Sequence, residues 1–380
     1  MKKLQLQSNA AKRALKKSFK KDAQYKPKVI SLFSGCGGMD LGFKWEGYDI
    51  LWANDNFHQA CETYKLNFGD HIVEADIEKI DFSKVPDCDV ILGGFPCQDF
   101  SMIWKRGGIT TERGNLYKYF VKAVDEKAPK VFVAENVKGL MTANNGAAIR
   151  QIIEDFSKCA GVGYKIYANV YNFAHYGAPQ FRERVLIIGI RNDVDFEYVK
   201  PAPTHTPDNY YTAGEALRGA DKVPANNEHQ NIMDKTRKLL SLIPEGGNFA
   251  SVPKSSPLYV KGMISHVYRR LHQKKPSTTI IAGGGGGTWG YHFKEPRPLT
   301  NRERARLFGY PDDFVFLGTI TQVRKQIGNS VPPIAIKVIA RELKKAFADR
   351  NGKRKTSKKV EQIKIPLSVG DEKQRSYILK

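Results

Sequence analysis

Short runs of aliphatic and β-branched residues alternate with segments of helical periodicity along the first half of the chain. The runs predict strands at residues 28–33, 50–53, 72–76, 89–92, 130–134 and 184–190. Helices are predicted from Met39 and at 60–68, 300–308 and 333–346. Short buried strands that alternate with helices are typical of a parallel, doubly wound α/β sheet.

The character of the chain changes after about Asn192. Residues 193–296 are rich in Pro, Asn, Gly and His, and five consecutive glycines stand at 283–287. We expect a smaller, loop-rich domain there, between a larger α/β domain at 29–192 and a segment at 297–347 that returns to it. Residues 1–28 and 348–380 are predicted to be basic tails.

Basic residues outnumber acidic ones. Among 380 residues, 61 are Lys or Arg and 39 are Asp or Glu, which gives a formal net charge of +22 and a pI near 9.6. This excess favours a polyanionic partner such as nucleic acid, although tails that only aid solubility would also produce it. No apolar stretch approaches the ~20 residues of a membrane-spanning helix, so we expect a cytoplasmic protein without membrane contact.

The number and spacing of the cysteines argue against disulfide bonds and a zinc site. There are five of them, an odd number, and no two are spaced as Cys-x-x-Cys. A disulfide framework or a structural zinc site is therefore not expected, and we predict no metal. One thiol is a candidate nucleophile, and the others are predicted to be buried small hydrophobes.

Glycines and acidic residues follow the first three predicted strands, at the edge where open α/β sheets bind ligands. The first strand leads into the turn 34–38, whose glycines let the backbone approach a ligand closely. The next two strands end at Asp55 and Asp76, placed to bind a ribose hydroxyl and an adenine amino group. These groups suit S-adenosylmethionine better than NAD, although a glycine turn alone also fits a dinucleotide site or a plain turn.

Two further strands end in a thiol and a carboxyl group. Cys97 follows Pro96 after the strand at 89–92, and Glu135 follows the strand at 130–134. A thiol on a rigid turn at the ligand edge can act as a nucleophile, and a carboxyl group beside it can act as a general acid. Taken singly, each residue is more often a buried structural cysteine or a surface carboxylate.

Five motifs occur in order along the chain: residues 33–38 (FSGCGG), 94–101 (GFPCQDFS), 135–137 (ENV), 180–184 (QFRER) and 326–332 (QIGNSVP). With these motifs the chain resembles the cytosine-C5 DNA methyltransferases, particularly the single-chain bacterial restriction–modification enzymes. Residues 297–303 and 306–311 match as well, and the resemblance covers about 29–345 apart from the variable middle. It implies a Rossmann-like methyltransferase domain with S-adenosylmethionine as cofactor, and a target-recognition domain at 193–296.

The resemblance also implies a role for each matching residue. Cys97 attacks cytosine C6, Glu135 holds and protonates ring N3, and C5 takes the methyl group before Cys97 leaves by elimination. Arg182 and Arg184 position the base and stabilise developing charge, and Asn136 holds the turn of Glu135. The expected cofactor residues are Phe33, Gly35, Cys36, Gly37, Gly38, Asp55, Asn56, Asp76, Ile77, Pro96, Asn329 and Ser330. The expected DNA contacts are Gln98, Ser101, Gln180 and Thr279.

The implied substrate is a cytosine that is flipped out of double-stranded DNA. Residues 98–116 are predicted to form a mobile loop that closes over the DNA, and the middle domain is predicted to read the sequence. We expect a monomer in the bacterial cytoplasm, associated with the nucleoid when bound to DNA. A cognate restriction endonuclease would be a separate protein.

Three positions depart from the family's pattern. Ser31 stands where an acidic residue is common, Cys36 replaces the commoner Leu or Ala, and Asp55 stands where Glu is usual. These changes leave Cys97 and Glu135 in place, so we expect an active enzyme.

Three other functions compete with this interpretation. An RNA-directed cytosine methyltransferase would share most of the motifs, but the sizeable middle domain and the C-terminal motifs favour DNA. A catalytically silent DNA-binding module would not need the intact set of Cys97, Glu135, Arg182 and Arg184. A nicotinamide-dependent oxidoreductase would need G-x-G-x-x-G spacing, which the glycine turn lacks, and would give residues 96–98 no role.

Overall fold

The fold is built on a sheet of eight strands, in a computed structural model that describes residues 25–96, 116–264, 267–283, 286–288, 290–351 and 376–379. The strands are β1 (Lys28–Leu32), β2 (Asp49–Asp55), β3 (Ile72–Glu74), β4 (Val90–Gly93), β5 (Val131–Val137), β6 (Tyr164–Asn172), β7 (Glu183–Arg191) and β8 (Ser376–Leu379). The α-helices are α1 (Gly38–Trp45), α2 (His58–Phe68), α3 (Leu116–Lys127), α4 (Ala147–Ser157), α5 (Ala213–Leu217), α6 (Asp234–Ser241), α7 (Asn301–Leu307), α8 (Ile320–Asn329) and α9 (Pro333–Leu343). Of the helices in these ranges, none has the length and apolar character to span a membrane.

The sheet is parallel on one side and antiparallel on the other. Its strand order is β3-β2-β1-β4-β5-β7-β6-β8, and the first five strands pair in parallel. β7 lies antiparallel to β5, β6 is antiparallel to β7, and β8 is antiparallel to β6. The predicted doubly wound α/β class is confirmed. The expectation of parallel pairing was wrong for β7, and strand β6 was not predicted.

Helices cover both faces of the sheet. Successive residues of a strand point to opposite faces. Ile30 and Phe132 pack on the face that α3 and α4 cover, whereas Val29 and Val131 pack on the face that α1 and α9 cover. All four side chains are fully buried, which explains why the central strands read as continuous apolar runs.

The C-terminal part of the chain returns to the first helix. A Cβ atom at Gly42 in α1 would lie 2.8 Å from the Pro333 carbonyl oxygen, so α9 approaches α1 closely. The Tyr48 hydroxyl donates a hydrogen bond of 2.9 Å to the Ala340 carbonyl. Residues after 330 therefore complete the layer that begins with α1.

Residues 193–296 are mostly loops. Their described part contains the two short helices α5 and α6 and no strand. A small apolar cluster of Leu239, Ile243, Phe249 and Val252 forms a local core. Arg270 supports it by donating hydrogen bonds to the carbonyls of Leu240, Ile243, His292 and Phe293. The domain boundaries at 192, 296 and 347 stay predictions.

A buried carboxylate lies beneath the glycine turn. Asp40, in the first turn of α1, is fully buried and accepts hydrogen bonds of 2.9 Å from the Ser31 and Tyr64 hydroxyls. Within the described part of the chain Asp40 has no ion-pair partner. Burial raises the pKa of Asp40 to about 6, although both hydrogen bonds act in the opposite direction. Ser31, which stands where the family often has an acidic residue, thus donates a hydrogen bond to a buried carboxyl group of α1.

The raised pKa of Asp40 makes a prediction about stability. Below the ordinary value of 3.8 the carboxyl group is protonated in both the folded and the unfolded states. As the pH rises from 3.8 to about 6, the carboxyl group ionises in the unfolded state but keeps its proton in the folded state, so the folded state loses stability until the buried group also ionises. We expect the free energy of unfolding of the wild type, minus that of Asp40→Asn, to fall by about 3 kcal/mol between about pH 3 and about pH 7. Urea denaturation at each pH measures this difference, and a difference that stays constant would contradict the assignment.

Candidate active site

The strand order reverses between β1 and β4, and the loops after these strands form the edge of the site. The chain leaves β1 toward α1 on one face and leaves β4 toward α3 on the other. Such a point opens a crevice at the carboxyl ends of the strands, where α/β proteins bind ligands. The glycine turn and residues 94–96 therefore lie side by side.

The backbone of the glycine turn is held in a left-handed conformation. Phe33 has a φ angle of 51°, Gly35 of 55° and Gly37 of 86°. A positive φ at a residue with a side chain costs of order 1–3 kcal/mol, so the surrounding structure must enforce it at Phe33. A Cβ at Gly35 would meet nothing within 4 Å, whereas one at Gly37 would lie 2.4 Å from the ring of Phe68. Gly35 therefore borders open space, and Gly37 provides room for packing.

Asp55 holds the glycine turn against β2. Its two carboxylate oxygens accept backbone hydrogen bonds from Gly35 at 2.8 Å and from Phe57 at 2.9 Å. Burial raises the pKa of Asp55 and these hydrogen bonds oppose the rise. The carboxylate has capacity for a further hydrogen bond, as the predicted ribose contact requires.

Asn56 and Asp76 lie together at the exposed end of β2 and β3. The Asn56 amide donates a hydrogen bond of 2.9 Å to Asp76, and Lys79 lies 3.3 Å from the same carboxylate. The hydrogen bonds from Asn56 and Lys79 lower the pKa of Asp76. Ile77 is buried behind them. The structure therefore brings Asp55, Asn56 and Asp76 to the same edge.

A C-terminal segment closes against the glycine turn. A Cβ at Gly38 would lie 2.5 Å from the Val331 carbonyl oxygen, 2.6 Å from the Tyr310 hydroxyl and 3.3 Å from the Ser330 Cβ. Asn329, the residue before, is exposed. Tyr310 was not among the predicted site residues, although it belongs to the motif at 306–311. Only a glycine at position 38 permits this approach.

Glu135 and Arg184 form a largely buried ion pair across β5 and β7. Arg184 Nε lies 2.9 Å from Glu135 Oε1, and the two side chains are 15% and 12% exposed. Glu135 is opposite Leu186 in the antiparallel register, so Arg184 is its diagonal neighbour. Burial raises the pKa of Glu135, and the charges of Arg184 and Arg182 oppose this rise. Glu135 is thus a carboxyl group with a raised affinity for protons, and the Arg184 guanidinium holds it in place.

The loop after β4 lies against Glu135 and is anchored by its neighbour Asn136. A Cβ at Gly94 would lie 3.0 Å from Glu135 Oε2. The Asn136 amide donates a hydrogen bond of 2.9 Å to the Phe95 carbonyl and accepts one of 2.8 Å from the Val137 N–H. Asn136 therefore holds the chain at Phe95, directly before the exposed Pro96. The predicted role of Asn136 was to hold the turn of Glu135, and the contact with Phe95 was not predicted.

Arg182 lies behind the ion pair. It is 2% exposed, and its Nη1 donates a hydrogen bond of 3.1 Å to the Ile280 carbonyl. Its Nη2 donates to the carbonyls of Gly328 and Ser330 at 2.9 and 3.1 Å. Burial, together with the charge of Arg184, lowers the pKa of Arg182 to about 9. The guanidinium group that is predicted to position the base thus contacts backbone carbonyls.

An open cavity of about 550 Å³ adjoins Arg184. Its lining residues are Val137, Lys138, Gly139, Asn172, Phe181, Glu183, Arg184, Thr278 and Thr279. The Thr279 hydroxyl donates a hydrogen bond of 2.7 Å to the Phe181 carbonyl and keeps acceptor capacity toward the cavity. A cavity of this size is in the range of small-molecule sites.

Two residues that are predicted to contact DNA or the cofactor have buried side chains. Gln180, predicted to bind DNA, is fully buried; its amide donates to the Leu307 carbonyl at 3.3 Å and accepts from the Ile280 N–H at 3.1 Å. Cys36, predicted to bind the cofactor, is 1% exposed, and its thiol lies 3.4 Å from the Tyr310 hydroxyl. Burial raises the pKa of Cys36 to about 12. Both side chains pack inside the protein, and their predicted ligand contacts stay predictions.

The predicted nucleophile and two predicted DNA contacts lie outside the described residues. These are Cys97, Gln98 and Ser101, together with nearly all of the predicted loop 98–116. The described chain ends at Pro96 on one side and resumes at Leu116 on the other. The roles of these residues stay predictions.

One group of metal-ligand side chains lies on the surface near β3. The ligand atoms of His58, Glu62 and Glu74 lie within 4.8 Å of one another. His58 lies 2.9 Å from Glu74, and Glu62 pairs with Lys65 at 2.7 Å. Exposed acidic side chains often lie this close without an ion, and Lys65 already pairs with Glu62, so we assign no metal to this group.

The chain matches one protein family over most of its length. The match is to the C-5 cytosine-specific DNA methylase family and covers residues 27–345. The chain is 59% identical to the Type II methyltransferase M.NgoFVII of Neisseria gonorrhoeae, over 85% of this chain and 88% of that protein. It is 42% identical to the Type II methyltransferase M.BbvI of Brevibacillus brevis, over 83% of this chain and 90% of that protein.

Solved structures share the fold. The methyltransferase EhMeth of Entamoeba histolytica superimposes with a TM-score of 0.62 at 16% identity, over 86% of this chain and 100% of that chain. At this identity the likeness concerns the fold alone. It agrees with the Rossmann-like α/β class of the described sheet.

Proposed function

The chain belongs to the family of C-5 cytosine-specific DNA methylases, and we propose that it is the modification enzyme of a bacterial restriction–modification system. Its reaction is the transfer of a methyl group to C5 of cytosine in DNA. The names of the Type II relatives in Neisseria gonorrhoeae and Brevibacillus brevis support the restriction–modification setting. The observation that carries the mechanism is the Glu135–Arg184 pair beside an open cavity.

S-adenosylmethionine is the proposed methyl donor, and the residues at the crevice fit it. Gly35 leaves open space, Asp55 keeps lone pairs for ribose hydroxyls, and the exposed Asp76 can accept from an adenine amino group. Phe33 and Ser330 flank the same turn. When bound, the cofactor supplies an electrophilic methyl group. The further residues proposed to hold it are Gly37, Gly38, Asn56, Ile77, Pro96, Asn329 and the backbone of Cys36.

Glu135 is the proposed acid for activating the flipped cytosine. Because burial raises its pKa, Glu135 keeps a proton to higher pH than an exposed carboxyl group and can donate it to ring N3. The Cys97 thiolate forms a bond to C6 as N3 gains this proton, which makes C5 nucleophilic. C5 then takes the methyl group, which would release S-adenosylhomocysteine, and N3 returns its proton to Glu135. A base removes the C5 proton, the C5–C6 double bond re-forms, and Cys97 leaves C6 as the thiolate. Arg184 orients Glu135 and stabilises developing charge at the cavity.

Two residues position the groups that react. Asn136 fixes the Phe95 carbonyl and thereby the start of the segment that carries Cys97. Arg182 has its guanidinium hydrogen-bonded to carbonyls, so we assign it a positioning role and not contact with the base. Thr279 lines the cavity beside Arg184 and is a proposed contact of the DNA backbone, with Gln98 and Ser101 as further proposed contacts.

The proposed substrate is double-stranded DNA bound by a monomer. The net charge of +22 favours such a polyanion, and residues 193–296 are the proposed reader of its sequence. We place the enzyme in the bacterial cytoplasm, where its substrate is, and associated with the nucleoid while bound. A cognate restriction endonuclease would be a separate protein.

Replacing Asn136 by Ala tests the anchoring of the nucleophile. Loss of the hydrogen bond to Phe95 should let the segment with Cys97 shift, and we expect kcat to fall about 100-fold with S-adenosylmethionine affinity within about twofold of wild type. Asn226→Ala is the matched control, because that buried amide makes the same two kinds of bond, to Phe316 at 2.8 and 2.9 Å, away from the site. Equal losses of kcat in both variants would refute the anchoring role.

Base-resolution methylcytosine sequencing tests the function itself. The protein is expressed in a methylation-free host that lacks nucleases directed at methylated DNA, with Cys97→Ala as the control. We expect methylation at one recurrent short motif and none in the control. Unmodified DNA from well-expressed protein would contradict a DNA substrate, and host tRNA would then be assayed. Methylation by Cys97→Ala would exclude Cys97 as the nucleophile.

A further inference from the structure

We propose that Arg182 couples DNA binding to cofactor binding. Its guanidinium joins the segment that leads into the glycine loop 283–287 to the segment that closes on the glycine turn. The proposal rests on the proposed function, because it assigns the first segment to DNA and the second to S-adenosylmethionine. It makes Arg182 a positioning residue that acts through two binding segments.

The DNA-side segment is tied to the chain that carries Arg182. Ser277 N–H donates to the Pro179 carbonyl at 2.9 Å, and Phe181 N–H donates to the Ser277 carbonyl at 2.8 Å. Arg182 Nη1 extends this ladder to the Ile280 carbonyl at 3.1 Å. Ile280 stands three residues before Gly283, so Arg182 holds the chain close to the start of the glycine run.

The cofactor-side segment meets the other half of the same guanidinium. Nη2 donates to the carbonyls of Gly328 and Ser330. Ser330 and its successor lie against Gly38 in the glycine turn. The two segments also touch each other directly, since a Cβ at Gly328 would lie 2.3 Å from the Ala282 backbone nitrogen. An unbroken set of contacts thus runs from the glycine turn to the glycine loop.

The chemistry of this junction requires arginine. The planar guanidinium presents donors on two sides at a fixed distance, whereas a lysine ammonium is a single point that cannot reach both segments. In a site that is 2% exposed, each carbonyl left without a donor is costly. A ligand that orders one segment therefore lowers the cost of ordering the other, which is positive coupling in both directions.

The test compares DNA affinity with and without S-adenosylhomocysteine, which lacks the methyl group and permits no reaction. The DNA is a duplex with the motif found by methylcytosine sequencing, and the dissociation constant is measured by fluorescence anisotropy. For wild type we expect saturating S-adenosylhomocysteine to tighten DNA binding at least about fivefold. For Arg182→Lys we expect a ratio near one.

Arg302→Lys is the matched control. Arg302 is also fully buried and donates to three carbonyls, those of Ala225, Pro311 and Phe314, but it does not join the two segments. We expect this variant to lose thermal stability and to keep the wild-type affinity ratio. A ratio near one in wild type, an unchanged ratio in Arg182→Lys, or an equal loss in Arg302→Lys would overturn the proposal.

A second measurement needs no variant. Hydrogen exchange of the wild-type protein is followed with S-adenosylhomocysteine and without DNA, and we expect slower exchange of the amides at 277–283. Unchanged exchange there, with protection of the glycine turn, would contradict the coupling. Failure of wild type to bind either S-adenosylhomocysteine or DNA would contradict the proposed function instead, so the two failures are distinguishable.

Discussion

The antiparallel placement of β7 beside β5 is the constraint on which the site depends. Glu135 lies near the carboxyl end of β5, and Arg184 is the second residue of β7. Only antiparallel strands bring these ends together; a parallel β7 would carry Arg184 to the opposite edge of the sheet. In the resulting ion pair the positive charge of Arg184 offsets the charge of the buried Glu135 carboxylate. The pair lies at the same edge of the sheet as the glycine turn.

The second constraint is the return of the C-terminal part to the start of the fold. Gly38 meets Ser330 and Val331 almost 300 residues later in the chain, and Arg182 fastens this contact from behind. The proposed cofactor crevice, the acid and the DNA-side segment therefore share one set of supporting contacts. We therefore propose that cofactor binding, DNA binding and catalysis all depend on the contacts between the glycine turn, Ser330 and Arg182.

Local sequence patterns predicted much of the sheet and only part of the site. Apolar runs revealed six strands, and the motifs singled out Glu135 and Arg184, which the structure brings to 2.9 Å. These patterns could not predict the direction of β7, because a strand pairs with residues that are distant in the sequence. Burial was also hidden: Gln180 and Arg182 are polar residues in a motif, and their carbonyl partners lie about 100 residues or more away. The hydrogen bond from Ser31 to the buried Asp40, nine residues on in α1, was not predicted either.

The central claim is that methyl transfer passes through a bond between Cys97 and cytosine C6. Duplex DNA with 5-fluorocytosine at the target position tests it, because fluorine cannot leave C5 as a proton does and elimination of the thiol is blocked. We expect a covalent protein–DNA complex that forms only with S-adenosylmethionine and survives denaturation, and mass spectrometry should locate the crosslink on the peptide that contains Cys97. Absence of the complex from protein that methylates ordinary DNA, or a crosslink at another cysteine, would contradict it.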